Sequence, residues 1–448
     1  MFDTIAAIAT SPGSGAIAII RISGSEAINI AQKIFQGSTS PSKMQSRYAY
    51  FGKIVDHGKV IDEVLLTIFH APKSYTGEDV VEVSGHGGAF IAARLLETIL
   101  QQGARLARPG EFTQRAYLHG KMDLTQAEAV MDLITAQTEH AERVALEQRA
   151  GVLGQEIKKI RAELLNVVAH LEAFFDFPED DISAVDGPFL RAPMERVRNH
   201  LLSLLATAEE GRLLREGLSL ALCGAPNVGK SSLLNKLLQV ERAIVSPTAG
   251  TTRDTIEEMA TLGGFPFRVI DTAGIRITED LIEREGVLRA QHAAQHADYT
   301  LHLVDATECH TLIEPIASHE LLVLNKIDLI IHRSALEKMY PDAVMISCHT
   351  GEGLDALITT LIKHLFDNKG PFAKEAPSIL AINARHKVCL KRALDGIEHA
   401  LILEAQKEPL ELLATELHAA LNAIGEVTGE VNSEEILGTI FSTFCIGK

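Results

Sequence analysis

The stretch GAPNVGKS, residues 224–231, has the Gly-x4-Gly-Lys-Ser spacing of a phosphate-binding loop. Glycines let backbone N–H groups turn toward a phosphate, while Lys230 supplies a cation for the β- and γ-phosphates and Ser231 a hydroxyl for Mg²⁺. The apolar run 218–223 predicts a strand before the loop, and 231–238 predicts a helix whose N-terminus favours phosphate. These features together predict a nucleotide triphosphate site between a strand and a helix.

Two segments downstream have the residues that a γ-phosphate and its Mg²⁺ need. Residues 250–252 read Gly-Thr-Thr, and a threonine in a mobile loop closes onto Mg²⁺ when the γ-phosphate is present. Residues 271–274 read Asp-Thr-Ala-Gly directly after a predicted strand, 267–270. We expect the carboxylate to hold the Mg²⁺ shell and the glycine N–H to meet the γ-phosphate.

A fourth element selects the base. Residues 325–328 read Asn-Lys-Ile-Asp and follow a buried-strand run, 321–324. The carboxylate of Asp328 can accept hydrogen bonds from the N1–H and 2-amino group of guanine, a donor pair that adenine lacks. Residues 347–349 read Ser-Cys-His after another predicted strand, 344–346, and are expected to close the base pocket. Four elements at strand ends predict a GTP site at the carboxyl edge of a parallel sheet.

The spacing does not identify the residue that orients the attacking water. In many GTPases a glutamine follows the Asp-x-x-Gly element, but Ile275 stands there and has no polar side-chain atom. A carboxylate also orients water through hydrogen bonding, and four in the next segment are candidates: Glu279, Asp280, Glu283 and Glu285. The alternative is that these are solvated helix charges.

Three further side chains have more than one interpretation. Asn227 lies in the phosphate loop, where its oxygen either faces a monovalent cation or caps its own backbone. His86 stands among glycines at the start of a predicted helix and is either catalytic or structural. Cys445 near the basic end of the chain is either a nucleophile, since a nearby cation favours thiolate, or a cysteine without a role.

Composition limits the class of protein. The chain has 448 residues, enough for about three domains, and a net charge of −17, which argues against broad nucleic-acid binding although a local basic patch remains possible. No uncharged apolar run approaches about 18 residues, and the acidic N-terminus is not that of a signal peptide. Five scattered cysteines without a CxxC pair predict a reducing cytoplasm and no zinc site.

The regions around the nucleotide motifs predict two further domains. Residues 1–118 have an α+β pattern, with a turn expected at 109–112. Thr125 and Glu128 have the spacing of a capping box, which predicts a helix running toward residue 150. Helices are predicted on both sides of the nucleotide motifs, so the simplest architecture is a helical domain, 119–215 and 371–448, with a G domain inserted at 216–370.

Seven elements, taken in order, make the whole chain resemble the TrmE/MnmE family of tRNA-modification GTPases. Besides the inserted GTPase motifs, the matching stretches are IRISG at 20–24, TGED at 76–79, GHGG at 85–88, RPGEF at 108–112, DLTQAEA at 123–129 and CIGK at 445–448. The resemblance implies a multidomain α/β plus α fold: an N-terminal tetrahydrofolate-binding domain that dimerises, a discontinuous helical domain and a Ras-like P-loop G domain.

The resemblance also implies an activity and partners. With a flavin-carrying partner of the MnmG (GidA) type, as a heterotetramer, members of this family add an aminomethyl-type or carboxymethylaminomethyl group at C5 of the wobble uridine (position 34) of certain tRNAs. The implied cofactors are GTP or GDP, Mg²⁺, K⁺ and a 5-formyl- or 5,10-methylene-tetrahydrofolate. Hydrolysis is expected to depend on K⁺ and on pairing of two G domains in a cytoplasmic protein without membrane contact.

Site residues are carried over by position in this sequence. The implied nucleotide contacts are Asn227, Val228, Gly229, Lys230, Ser231, Ser232, Ser246, Pro247, Thr248, Ala249, Gly250, Thr251, Thr252, Asp271, Thr272, Ala273, Gly274, Asn325, Lys326, Asp328, Ser347, Cys348 and His349. The implied metal ligands are Ser231 and Thr252 for Mg²⁺, and Asn227, Ser246, Thr248 and Thr251 for K⁺. The implied folate contacts are Arg21, Glu82, Lys121 and Lys448, the water-orienting residue is Glu283, and Cys445 takes part in the modification.

Two other functions are compatible with parts of the sequence. A GTPase that acts as an assembly switch would need the G domain alone, and the folate-type domain and the cysteine-ending tail favour modification instead. A folate enzyme with a vestigial G domain is disfavoured by the intact Lys230, Asp271 and Asp328.

The sequence departs from the family at Pro247, inside the K⁺ loop, and at Cys348 and His349, where alanine and lysine are usual.

Overall fold

The computed structural model describes residues 3–136, 138–176, 187–240, 257–271, 297–308, 319–366, 382–431 and 434–448. The chain divides into two compact units. The first comprises Met1–Met131, Arg149–Val197 and Arg392–Lys448, and the second comprises Asp132–Gln148 and Arg198–Lys391. The chain therefore passes from one unit to the other four times.

A seven-stranded sheet forms the N-terminal part of the first unit. Its strands are β1 Ile5–Ile8, β2 Ile17–Ser23, β3 Phe35–Gly37, β4 Ala49–Asp56, β5 Lys59–Phe69, β6 Val80–His86 and β7 Arg105–Leu106. The strand order is β3-β4-β5-β6-β2-β1-β7, with antiparallel neighbours except for the parallel pair β1 and β7. Along β5, Val64 and Leu66 are buried while Leu65 between them is exposed, the period of two expected for a sheet covered on one face.

Helices cover one face of this sheet. The helices α1 Ala27–Ile34 and α2 Ala89–Gln101 place Ile30, Leu95 and Ile99 in the same hydrophobic cluster as Val64 and Leu66. The turn predicted at 109–112 is only partly right, because the helix α3 Glu111–Leu118 begins inside it. Gly110 before that helix has a φ of +66°, a left-handed conformation that glycine adopts without strain.

The single helix predicted from residue 125 toward residue 150 is wrong. The chain forms two helices, α4 Leu124–Thr135 and α5 Glu139–Arg149, and Thr138 Oγ1 accepts the N–H of Ala141 to cap the second. The predicted capping box at Thr125 and Glu128 is wrong too. Asp123 accepts the Gln126 N–H at 3.0 Å and donates its own N–H to Gln126 Oε1 at 3.0 Å, so the box lies two residues earlier.

Two long helices follow. The helix α6 Val152–Asp176 buries a stripe of apolar residues that includes Leu153, Ile157, Ile160 and Leu164. The helix α7 Gly187–Glu216 leads to the second unit.

The second unit contains a six-stranded sheet. Its strands are β8 Leu218–Gly224, β9 Glu257–Leu262, β10 Phe265–Asp271, β11 Tyr299–Asp305, β12 Glu320–Asn325 and β13 Val344–Met345, and its helices are α8 Lys230–Val240, α9 Arg333–Met339 and α10 Leu354–Phe366. The order is β13-β12-β11-β8-β10-β9, and β9 runs antiparallel to its parallel neighbours. The parallel strands are nearly continuous apolar runs, as strands buried on both faces require. Their carboxyl ends therefore meet at one edge of the sheet.

The chain then returns to the first unit. Its last helices are α11 Ala384–Gln406, α12 Leu410–Thr428 and α13 Glu434–Ser442. The helix α12 packs against α6, and Phe441 and Phe444 at the end of the chain join Leu124 and Ala127 in a hydrophobic cluster. Within the described residues, no helix combines the length and apolar character needed to cross a membrane.

Candidate nucleotide site and N-terminal ligand site

The phosphate loop connects β8 to α8, as the sequence predicts. A Cβ placed on Gly224 would lie 2.3 Å from the carbonyl oxygen of Leu303, so the loop requires glycine there. Asn227 has a φ of +66°, a left-handed conformation that asparagine adopts more readily than most residues. The Lys230 ammonium donates to the carbonyl oxygens of Gly224 at 2.8 Å and Ala225 at 2.9 Å, which holds it across the loop.

Asn325 joins the phosphate loop to the base loop. Its Nδ2 donates to the carbonyl oxygen of Val228 at 2.8 Å, and its Oδ1 accepts the N–H of Cys348 at 3.1 Å. A Cβ on Gly229 would lie 2.2 Å from that Nδ2. The buried amide therefore fixes both loops together, and it does so only if residue 229 is glycine.

The carboxylate assigned to guanine is already oriented by its neighbours. Ser347 donates its hydroxyl to Asp328 Oδ1 at 2.6 Å and accepts the N–H of Thr350 at 3.1 Å. The Ser347 hydrogen bond lowers the pKa of Asp328, and the charges of His349 and Arg333 lower it further. Asp328 is therefore ionised and able to accept two donors from a base.

A fourth contact was not anticipated from the sequence. Asp305, at the end of β11, accepts a hydrogen bond from Lys326 Nζ at 2.5 Å and two from Thr307. Burial alone would raise the pKa of Asp305, but these hydrogen bonds lower it below the ordinary value. The sequence feature that could have indicated this contact is an acidic residue at the end of the buried run 299–305. The Asp305–Lys326 pair holds the Lys326 side chain beside the base loop.

The described part of the predicted nucleotide site comes together at the carboxyl edge of the sheet. Residues 227–229 lie on the loop after β8, and residues 230–232 form the first turn of α8. Asn325 ends β12 and is followed by Lys326 and Asp328, while residues 347–349 follow β13. Asp271 ends β10 and pairs with Leu222 of β8, which places its backbone at the same edge. Other expected contacts lie outside the described residues: Ser246, Pro247, Thr248, Ala249, Gly250, Thr251, Thr252, Thr272, Ala273, Gly274 and Glu283.

A second set of predicted residues lies on the N-terminal sheet. Arg21 of β2 and Glu82 of β6 are paired in the strand register, and Arg21 Nε donates to Glu82 Oε1 at 2.9 Å. The guanidinium lies 5.5 Å from the centre of the Tyr75 ring and 5.7 Å from that of Phe112. Two aromatic rings that spacing did not indicate therefore flank the ion pair.

The end of the chain lies against this site. Phe112 donates its N–H to the Lys448 carbonyl oxygen at 3.2 Å, and Gly110 donates to that of Cys445 at 3.4 Å. A Cβ on Gly447 would lie 2.3 Å from the Ile8 carbonyl oxygen, so the tail approaches β1 too closely for a larger residue. Cys445 itself is an exposed free thiol.

Lys121 is placed by the loop that carries Tyr75. Its Nζ donates to the carbonyl oxygen of Pro72 at 2.8 Å. Among the four predicted folate positions, Arg21 and Glu82 touch each other and Lys448 reaches the site through Phe112. Lys121 is held instead at the neighbouring loop by its hydrogen bond to Pro72.

A buried charge network supports the same loop. Arg115, which is 2% exposed, contacts Asp3 at 3.0 Å, Glu78 at 3.1 Å and Glu111 at 3.0 Å. Ser23 at the end of β2 also donates to Glu78, at 2.7 Å. The network ties the TGED and RPGEF stretches to the strand that carries Arg21.

His86 does not have the buried ring of a structural histidine. Its side chain is 68% exposed, and its Nδ1 lies 2.6 Å from Oδ1 of the buried Asp62. The hydrogen bond with Asp62 raises the pKa of His86. A Cβ on Gly85 would lie 2.5 Å from Asp62 Oδ2, which explains the glycine before the histidine.

Comparison with known proteins identifies the family of the chain. Residues 124–445 match the family model described as MnmE helical domain, and residues 4–121 match GTP-binding protein TrmE N-terminus. The chain belongs to the MnmE family. Proteins named tRNA modification GTPase MnmE from Listeria innocua and Carboxydothermus hydrogenoformans are 44% and 43% identical, each match covering 100% of both chains.

One further full-length relative and one solved structure that covers part of the chain are also similar. The MnmE of Streptococcus mutans is 42% identical over 100% of this chain and 99% of its own. A solved structure of Aquifex aeolicus Era bound to GDP·AlF4⁻ is 28% identical over 40% of this chain and 66% of that chain, with a TM-score of 0.25. The strand order and the motif-bearing loops of this chain are themselves those expected of a G domain.

Proposed function

We propose that this MnmE-family GTPase hydrolyses GTP to drive modification of the wobble uridine of certain tRNAs. The observation that carries the proposal is the joined nucleotide site, in which Asn325 fixes the phosphate loop to the base loop. Asp328 is held ionised beside it by Ser347. A carboxylate in that position accepts the donor pair of guanine and finds none on adenine.

The chain supplies the phosphate chemistry through its loop. Lys230 exchanges its two carbonyl partners for β- and γ-phosphate oxygens, and the Ser231 hydroxyl is a ligand for Mg²⁺. Bound Mg²⁺ neutralises charge that develops as the γ-phosphoryl group leaves. Thr252 as a second Mg²⁺ ligand and Glu283 as the residue that orients water complete the proposed machinery.

A monovalent cation is the second part of the proposal. Asn227 presents a neutral oxygen from an exposed position in the loop, and its left-handed backbone turns the loop around it. K⁺ held by Asn227, Ser246, Thr248 and Thr251 would stabilise charge between the β- and γ-phosphates.

The Arg21 and Glu82 pair is the proposed site for a tetrahydrofolate derivative. Both Arg21 nitrogens in the pair bond Glu82 Oε1, so within the described residues Glu82 Oε2 has no hydrogen-bond partner. A pterin ring presents an N–H beside an amino group, the donor pair that a carboxylate oxygen accepts. Tyr75 and Phe112 supply aromatic faces, and Lys121 and Lys448 supply the cations expected for a folate tail.

Two partners belong to the proposal. The sheet face away from α1 and α2 exposes Phe51 and Leu65, which pair across β4 and β5 and are 62% and 47% exposed. Such a patch on an N-terminal domain, taken as residues 1–118, fits a second copy of this chain in a cytoplasmic homodimer. A flavin-carrying MnmG-type protein would act with the tRNA, and Cys445 is exposed as the modification step requires.

Hydrolysis in K⁺ and in Na⁺ at equal ionic strength tests the proposal, with two variants of one residue. Asn227→Gly removes the oxygen and keeps the left-handed backbone, whereas Asn227→Asp keeps an oxygen. We expect K⁺ to stimulate the wild-type rate about tenfold or more, the size of effect that a well-placed charge stabiliser has. Asn227→Gly should lose this stimulation and still bind GDP.

The variants separate a ligand from a backbone role. If Asn227→Asp responds to K⁺ and Asn227→Gly does not, the oxygen is the relevant group. Equal wild-type rates in the two salts would remove the cation from the mechanism. An assembly switch without modification chemistry would then be the better account of the G domain.

A further inference from the structure

A short excursion of the chain brings one helix of the flanking region onto the G domain. Residues 132–148 leave the first unit, join the second and return, and they contain nearly all of α5. Nothing in the nucleotide chemistry uses this segment. The role of residues 132–148 is therefore inferred from their contacts within the second unit.

The helix α5 packs against one end of the β9–β10 hairpin. The His140 ring stacks on Phe265, the first residue of β10, with centroids 5.0 Å apart and planes at 12°. Burial, followed by the charge of Arg143, lowers the pKa of His140, so a neutral imidazole makes this stack at neutral pH. One turn later, Val144 is 5% exposed and belongs to the hydrophobic cluster that holds Leu262 and Phe265.

The turn at this end of the hairpin, Gly263 and Gly264, is tightly packed. Gly263 and Gly264 have φ values of +57° and +85°, as a two-residue turn between β-strands requires. A Cβ on Gly263 would lie 2.3 Å from Ile362 Cδ1 of α10, and one on Gly264 would lie 3.5 Å from His140 Cδ2. The turn therefore fits between α10 and α5 with little room to move independently.

The other end of the hairpin carries the nucleotide-sensing sequence. The strand β10 ends at Asp271, the first residue of Asp-Thr-Ala-Gly, and β9 follows the segment that contains Thr251 and Thr252. The strand pairs residue by residue with β8, from Phe267 with Leu218 to Asp271 with Leu222. The strand β10 is hydrogen-bonded along this length and does not stretch, so it links Asp271 rigidly to Phe265, about 20 Å away.

We propose that the stack of His140 on Phe265 makes the position of α5 depend on whether GTP or GDP is bound to the G domain. Displacement of the β9–β10 hairpin on GTP binding changes the position of Phe265, and α5 moves with it because Val144 is packed into the same core. The device rests on GTP binding alone. It stands or falls independently of K⁺, folate and the flavin-carrying partner.

The far end of α5 suits this role. The carbonyl oxygen of Arg149, its last residue, accepts Gln126 Nε2 of α4 at 3.0 Å within the first unit. Gly151 follows with a φ of +87°, and α6 begins at Val152. Movement of α5 therefore acts directly on α4, the helix that begins at the Asp123 capping box.

Hydrogen exchange of the full chain, loaded with GDP or with a slowly hydrolysed GTP analogue and Mg²⁺, tests the device. In the wild type, amides of residues 139–149 should exchange at different rates in the two nucleotide states. His140→Ala should lose this difference while residues 257–271 keep theirs and nucleotide affinities stay unchanged. His140→Phe restores an aromatic stack and should restore the difference.

One matched control completes the experiment, and three outcomes would contradict the proposal. His170→Ala changes an exposed histidine of α6 that bonds its own helix, and it should leave the α5 response intact. Equal exchange of 139–149 in both states of the wild type would overturn the device. So would His140→Ala keeping the full difference, or losing the response of the hairpin as well.

Discussion

The nucleotide site and the N-terminal site of this chain are built in opposite ways. The first is made largely from backbone atoms and one amide, Asn325, that joins two loops. The second is made from charged and aromatic side chains contributed by β2, β6, α3 and the end of the chain. A backbone site tolerates little change of shape, whereas a side-chain site tolerates shape changes and depends on charge pairing.

Electrostatics follow the same division. In the nucleotide site, the exposed Asp328 is oriented by a hydrogen bond from Ser347, and the buried Asp305 accepts hydrogen bonds from Lys326 and Thr307. Around the N-terminal site, Arg115 is almost fully buried among Asp3, Glu78 and Glu111. Removing one member of a buried network leaves its partners uncompensated, so the two sites should respond very differently to substitution.

The largest expected effect comes from adding one methyl group to the phosphate loop. Gly229 has a φ of +106°, and a Cβ there would collide with Asn325 Nδ2. Backbone strain and loss of the loop-joining amide together predict that Gly229→Ala weakens GTP binding at least about a hundredfold. Titration with a fluorescent, slowly hydrolysed GTP analogue measures the affinity.

A second glycine serves as the matched control. Gly438 lies in α13 with nothing within 4 Å of an added Cβ, so Gly438→Ala should bind nucleotide like the wild type. Folate binding should be unchanged in both variants. Retention of normal nucleotide affinity by Gly229→Ala would show that the loop is not shape-limited and would remove the contrast between the sites.

A smaller but still large effect is expected on stability from the charge network. Arg115→Met fills similar space and leaves the buried Glu111 without one of its cations. Breaking a buried pair in this way costs about 3–5 kcal/mol of the free energy of unfolding. Urea unfolding followed by circular dichroism measures the loss, and GDP affinity in the folded protein should stay at the wild-type value.

An exposed arginine gives the comparison for that loss. Arg191 bonds Glu195 and Glu404 with a side chain that is 47% exposed and screened by solvent, so Arg191→Met should leave the free energy of unfolding almost unchanged. Similar losses in Arg115→Met and Arg191→Met would mean that burial adds nothing to the network. The N-terminal site would then be no more dependent on charge than the surface.

The difference between the sites also explains what could be predicted from the sequence. Spacing alone placed Gly229, Lys230 and Asp328, because backbone motifs are contiguous and strand ends in a parallel sheet meet at one edge. Spacing did not indicate Tyr75 or Phe112, which reach Arg21 from separate parts of the chain. Only the family resemblance connected positions as distant as Arg21 and Lys448.

Local errors had local causes. Thr125 and Glu128 have capping-box spacing, but Asp123 and Gln126 satisfy the same backbone groups one half-turn earlier, and Thr125 donates to Asp123 instead. A second cap at Thr138 then splits the predicted long helix. Apolar periodicity continues across such a break, so the pattern of residues did not reveal α5 as a separate element. The domain limits inferred from the sequence remain predictions.

The smallest expected effect concerns one charge in the N-terminal site. Glu82→Gln keeps the side-chain shape and an acceptor for Arg21 but removes the carboxylate that would accept the donor pair of a pterin. Loss of one charge-assisted hydrogen bond predicts about tenfold weaker binding of 5-formyl-tetrahydrofolate, measured by calorimetry, with GTP turnover unchanged. Glu63→Gln changes an exposed residue of β5 that pairs with Lys53, and it should change neither folate binding nor GTP turnover. If Glu82→Gln binds the folate normally while Gly229→Ala loses GTP, then charge is not what the N-terminal site uses, and the aromatic pair Tyr75 and Phe112 would have to supply the recognition.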